Sequence, residues 1–229
     1  ESDFDLAAEF AKENGRSRAR GESIDLLAKT MFETSGRVGL EKWLGAIDFE
    51  GENGMDSYKK YAFAEATERI AEKDPEEAES WLLGHLDGGY VDARAMYSVA
   101  GAVGGDDRGK RVEWLAELPA GGGRNEAVGW AVDRWAREDA TATSEWLSEQ
   151  ELGEAYDPAV RALAGRLAGD DPAAAMSWGN AIEGDRGRAE TLWKIGREWI
   201  QKDKAGAATW LSENEVPERV LEGLARYLK

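Results

Sequence analysis

Cysteine is absent from this chain and histidine occurs once, at His85. The first gap removes a disulfide framework, a thiolate metal site and a cysteine nucleophile. The second leaves a single candidate base for any histidine-dependent triad. A chain without thiols suits oxidising and reducing compartments alike. Positive charge is also scarce, with 29 Lys and Arg against 46 Asp and Glu for a net charge of −17. Such a chain repels phosphate backbones and anionic lipid surfaces, and its one visible basic cluster is Arg108, Lys110 and Arg111. Nucleic acid is therefore not an expected partner. No apolar run is long enough to span a bilayer, so membrane insertion is not expected either. Walker-type and dinucleotide-type glycine patterns are missing. The chain opens at Glu1 rather than Met, as a processed or a trimmed form would, so the expectation is a soluble protein whose compartment stays open, export being one option.

What is present is tryptophan, and it keeps a period. Trp43, Trp81, Trp114, Trp146, Trp178 and Trp210 are 38, 33, 32, 32 and 32 residues apart, and all but Trp178 are followed by Leu. A fixed period in this range marks a repeat architecture, in which no unit can bury its apolar face alone. Seven positions before the tryptophan stand Asp74, Asp107, Asp139, Asp171 and Asp203, with Pro75 and Pro172 following two of them. A carboxylate that accepts free amides, followed by a residue with no amide to lose, is a helix start. Glu77, three after Asp74, occupies the capping-box position. The helix begun there carries small or apolar residues at −3, 0, +1 and +4 from the tryptophan, one face of a 3.6-residue period.

A companion helix precedes each Asp. Its apolar positions at −18, −15 and −11 are Phe63, Ala66 and Ile70, then Met96, Val99 and Val103, then Val128, Ala131 and Trp135. They continue as Val160, Leu163 and Leu167, and as Leu192, Ile195 and Trp199. The first unit keeps Leu27, Ala28 and Phe32 but has Asp25 at −18, so it reads as degenerate. The expectation is an all-α protein, an α/α superhelix (solenoid) of about six antiparallel hairpins in one domain. The repeats fall at 22–53, 60–90, 93–120, 125–153, 157–184 and 188–215. An N-terminal helix or cap covers 1–21 and a capping helix covers 217–229. The six tryptophans are expected to be buried and equivalent, with Trp43 the least costly to lose.

The segment 74–93, DPEEAESWLLGHLDGGYVDA, resembles a tetratricopeptide-type or Sel1-like repeat. Asp74, Pro75, Trp81, Gly84, Gly89 and Tyr90 stand where that family places its Asp-Pro, first-helix aromatic, glycine and inter-helix turn. The departures are a period of 32 rather than the family's 34, a shorter turn and no glycine at that place in most units. The resemblance covers roughly residues 24–215. It implies a right-handed superhelix whose concave wall, built from the Asp-Pro-Trp helices, holds a peptide or another protein.

Candidate chemistry is sparse. His85, at +4 where other units have Leu118 and Ile182, reads as a packing or rim residue. Gly121, Gly122 and Gly123 ahead of Arg124 read as a turn. The acidic stretch Asp48, Glu50, Glu52, Asn53, Gly54 and Asp56 lacks the EF-hand register and reads as a solvated loop. Trp130 and Trp193, beside Tyr97 in the register, read first as fillers of an inter-helix gap and second as stacking surfaces. One pattern stands out. Glu113 and Glu117, then Glu145 and Glu149, repeat at −1 and +3 from the tryptophan, an i,i+4 pairing that slightly destabilises a helix. Either they belong to a solvated face, or they form an acidic ladder for a cationic partner, with Trp130 as a stacking surface. The expected function is a non-enzymatic protein- or peptide-binding scaffold with an acidic groove for a basic partner. No metal or cofactor is expected. The alternative is an α/α-toroid enzyme acting on a polysaccharide through paired carboxylates, against which stand the short hairpins and the polar closing helix. A self-assembling structural protein is a third reading, marked by apolar faces at the two ends.

Overall fold

A computed structural model describes residues 19–47 and 55–229. Most of the expected N-terminal helix and the acidic stretch 48–54 therefore lie outside the described residues. Among the described residues there are twelve helices and no strand. In chain order they are α1 (Ala19–Ala46), α2 (Met55–Ala71), α3 (Pro75–Leu83), α4 (Ala93–Gly104), α5 (Arg108–Glu117) and α6 (Gly122–Glu138). There follow α7 (Ala140–Ser148), α8 (Asp157–Leu167), α9 (Pro172–Asn180), α10 (Asp185–Lys202), α11 (Lys204–Glu213) and α12 (Glu218–Leu228).

The recurrent Asp ends one helix and begins the next. The Asp139 amide donates to the Trp135 carbonyl at 2.8 Å, completing α6, while its carboxylate accepts from the Ala142 amide at 2.9 Å and caps α7. Asp171 does the same between Leu167 and Ala174, and Asp203 between Trp199 and Gly206. Asp74 accepts from both Glu76 and Glu77 at 3.0 Å, and its own amide donates to the Ile70 carbonyl. That amide is already paired, so Glu77 is not needed to complete a reciprocal capping box. Two units vary the scheme. After α4 the chain turns at Gly105, with φ 54°, and the Asp107 amide bonds to Gly104 rather than Val103. In the first unit the position seven before Trp43 is Gly36, and α1 is broken there at φ 57° and ψ −150°. That region of backbone space belongs almost exclusively to glycine.

The chain divides into two compact units. The first runs to Arg111 and includes 122–124; the second takes 112–121 and everything from Asn125 on. The cuts fall inside α5 and α6, not in a linker. In the first unit α2 packs on α1, α3 and α4, and α3 on α4. In the second, α8 packs on α7, α9 and α10, and α10 also on α11 and α12. Within each unit, the companion helices α2, α8 and α10 thus meet both their own partner and the following helix of the same kind. The cores follow the expected stripes: Phe63, Ala66, Ile70 and Val99 in one, Leu163, Leu192, Ile195 and Leu224 in the other are buried. Val103 is the exception at 38% exposed, beside the turn at Gly105.

Two expectations need correction. The first unit departs from the others by register, not by lacking an apolar line. Its buried line is Ile24, Ala28 and Met31, shifted by one residue, and Asp25 faces outward to pair with Arg69 of α2 at 3.1 Å. Nor are the six tryptophans equivalent. Trp43 and Trp81 are 0% exposed, whereas Trp114, Trp146, Trp178 and Trp210 are only half-buried. On the later short helices the deepest line runs one residue off the tryptophan. Thr143 and Leu147, Ala175 and Gly179, and Ala207 and Leu211 take it. Gly179 replaces the usual Leu because α10 comes too close: a Cβ there would stand 3.2 Å from the Leu192 side chain. Trp81 is sealed by added cover. Phe63 stacks on it at 5.7 Å, His85 lies 4.5 Å away, and the Arg37 guanidinium sits 5.4 Å from the ring.

Candidate acidic and aromatic surface

His85 is accounted for by packing. Its Nδ1 donates to the Trp81 carbonyl at 2.7 Å, and its ring lies among Phe63, Trp81 and Tyr90. Trp81 in turn donates to Thr67, whose hydroxyl donates to the Phe63 carbonyl at 2.7 Å, so this buried polar chain is complete. Of the apparent basic cluster, Lys110 lies 4.0 Å from Asp107 and Arg111 donates to the Gly105 carbonyl. Arg124 after the glycines is buried.

The second unit carries the more open chemistry. Trp135 on α6 and Trp146 on α7 occupy the −11 and 0 positions of one hairpin, so the helix pair brings their rings to 5.4 Å. Tyr156, just before α8, extends the run, 6.3 Å from Trp146. All three are half-buried. Burial raises the Tyr156 phenol above the usual tyrosine value, and the charges of Glu113 and Glu117 raise it further. Both carboxylates therefore act on the same ring, which is where an i,i+4 pair on α5 would place them. Glu113 is half-buried and Glu117 is exposed.

The other ladder members stand elsewhere. Glu145 and Glu149 are exposed at the end of α7, and the Glu149 amide caps that helix through the Trp146 carbonyl. Trp130 lies on α6, 44% exposed. Five residues from Trp135, it points about 140° away around the helix at 100° per residue, so the helix does not turn it toward the Trp146 side. Trp193 is 36% exposed, with its ring set against Gly223 of α12. Tyr156 was not singled out by the periodic pattern because it lies in a connection. Its signal was only its place ten residues after Trp146, close to Tyr90's place nine after Trp81.

Asp157 was also missed. Its carboxylate accepts from the Glu183 and Gly184 amides at 2.8 and 2.9 Å, tying the start of α8 to the turn before α10. Among the described residues no cluster of His, Asp and Glu is arranged to hold a metal ion, and no helix is long and apolar enough to cross a membrane. No family model, curated protein or solved structure matches the chain.

Proposed function

We propose that this protein is a non-enzymatic binding scaffold, a tetratricopeptide-like α/α superhelix of six stacked hairpins that holds a protein or peptide. Its acidic surface at Glu113 and Glu117 takes a basic segment. The contact of α2, α8 and α10 with both their own partner and the following companion-type helix is the pattern that stacking of hairpins requires, and it supports the architecture within each unit. One observation carries the choice of partner. Two carboxylates act on a tyrosine that continues a half-buried run of Trp135 and Trp146. A Lys or Arg side chain satisfies both halves of such a surface, pairing its charge with the carboxylates and laying its stem or guanidinium on the rings.

The test is a titration of the full chain with a fluorescein-labelled peptide of alternating Lys and Leu, followed by anisotropy. Saturable binding that weakens between about 20 mM and about 150 mM salt is expected, because screening shortens the reach of exposed charges. Equal binding of a Glu-Leu peptide, or indifference to salt, would overturn the reading.

A further inference from the structure

Trp193 stands outside the repeated register, and the fold sets it in an open groove of about 310 Å³ between α10 and α12. Arg186, Ala189, Glu190 and Trp193 follow at i, i+3, i+4 and i+7 on α10, so they share one face. Arg219 and Val220 close the groove from α12. The indole is held in place. Gly223 of α12 lets its edge approach, since a Cβ there would stand 3.1 Å from Cδ1 and 3.2 Å from Nε1. The Arg197 guanidinium, one turn on, lies over the ring at 4.9 Å. Ala189 and Glu190 lie one turn back, so the groove opens on the side away from Arg197. Yet 36% of Trp193 stays in water, which forfeits part of what burying so large a ring contributes.

The polar groups around the ring are engaged with one another and offer no free charge. Arg186 Nε donates to Glu190 Oε1 at 2.8 Å, and that bond holds the Glu190 carboxyl below its usual range. Arg219 donates to the Asp185 carbonyl, which ties α12 to the first turn of α10. What these bonds leave over is direction. A guanidinium has more N–H groups than they use, and the Glu190 carboxylate has a second oxygen. Donors and an acceptor therefore stand at set places around an exposed indole. Adjacent hydroxyls, each able to donate and accept, suit such planar groups. A sugar ring carries hydroxyls on its rim and bare C–H groups on its faces, and an indole face matches the second.

We propose that the α10–α12 groove binds a neutral hexopyranose ring of the glucose type. Its C–H face lies on Trp193, and its adjacent hydroxyls meet Glu190, Arg186 and Arg219. Ala189 and Val220 supply the remaining apolar lining. The groove is of the size at which small-molecule sites begin. An anion would find both guanidiniums engaged, and a cation would find Glu190 already paired. An open-chain polyol has the hydroxyls without the face. The proposal shares no residue with the Glu113–Glu117 surface and stands independently of it.

The experiment follows the Trp193 indole N–H by two-dimensional NMR of the full chain, the signal being assigned by its loss in Trp193→Phe. Titration with methyl β-glucoside should shift it and saturate at about 1–10 mM, as one ring in an open groove allows. The affinity should be the same at about 20 mM and about 500 mM salt, because the ligand is neutral. Sorbitol should leave the signal in place. Glu190→Ala, a change at an exposed side chain, should keep the native circular dichroism and bind about tenfold more weakly, having lost an acceptor and the hold on Arg186. Cellotetraose carries the same ring within a chain. Tighter binding than the glucoside makes the source a polysaccharide, and weaker binding makes it a free sugar. An indole signal that the glucoside does not move, or that sorbitol moves as far, would overturn the proposal. So would a Glu190→Ala chain that binds as tightly as the native one, or a shift produced by the Lys-Leu or Glu-Leu peptide in place of the glucoside.

Discussion

At the scale of single residues, cover decides cost. Trp43 and Trp81 are fully enclosed, so replacing either by Ala is expected to destabilise the chain by about 3–5 kcal/mol, as for other large aromatic-to-Ala core changes. Trp178, half-buried, should lose about 1–3 kcal/mol because part of its area stays in water in the folded state. Urea unfolding of the variants reads the order directly, and a larger loss at Trp178 than at Trp43 would contradict it. The period located all six tryptophans, but their depth depends on side chains from other helices, such as Phe63 and Arg37 over Trp81. No spacing rule reports those. Tyr156 offers a second residue-level test. Its folded value is raised, so the protonated phenol is the form the fold favours. The resulting stability is fully present below the unfolded tyrosine value near pH 10 and is lost as pH rises through the folded value. In difference spectra against Tyr156→Phe, the Glu113→Gln, Glu117→Gln variant should titrate at lower pH than the native chain. An unchanged titration would mean that the two carboxylates do not face the ring.

At the scale of elements, one position does the work of two helix ends. Asp139, Asp171 and Asp203 each close the preceding helix with their amide and cap the next with their carboxylate. Replacing any one by Ala keeps the amide bond and removes the cap, so a loss of about 1 kcal/mol is expected from each. Residues one or two repeats apart share no partner, so a triple variant should lose roughly the sum, about 3 kcal/mol, by thermal or urea unfolding. Gly36→Ala in the first unit should cost about 1–3 kcal/mol from backbone strain alone, because no atom stands within 4 Å of an added Cβ. These starts were legible because Asp and Pro act through local backbone groups. The first unit was misread for the same reason. With Gly36 in place of Asp, the register shifts by one residue and puts Asp25 on the outside, opposite an Arg69 that is 44 residues away.

At the scale of the whole molecule, a net charge of −17 makes acidic surface abundant, and position decides which of it matters. The Glu113–Glu117 surface was half legible, since the Glu pairs recur in register, but the pattern could not say which pair acts on the Tyr156 phenol. Only Glu113 and Glu117 act on Tyr156; Glu145 and Glu149 sit exposed at the end of α7. The central claim, that a basic segment is recognised by carboxylates set against the Trp135–Trp146–Tyr156 run, turns on that difference. The direct measurement compares the affinity of the Lys-Leu peptide for two variants of equal charge, Glu113→Gln with Glu117→Gln and Glu145→Gln with Glu149→Gln. Both lose two negative charges, so any general field effect is the same. The first is expected to bind about tenfold more weakly than the native chain and the second within about twofold of it. Equal losses in the two variants, or the larger loss at Glu145 and Glu149, would contradict the account.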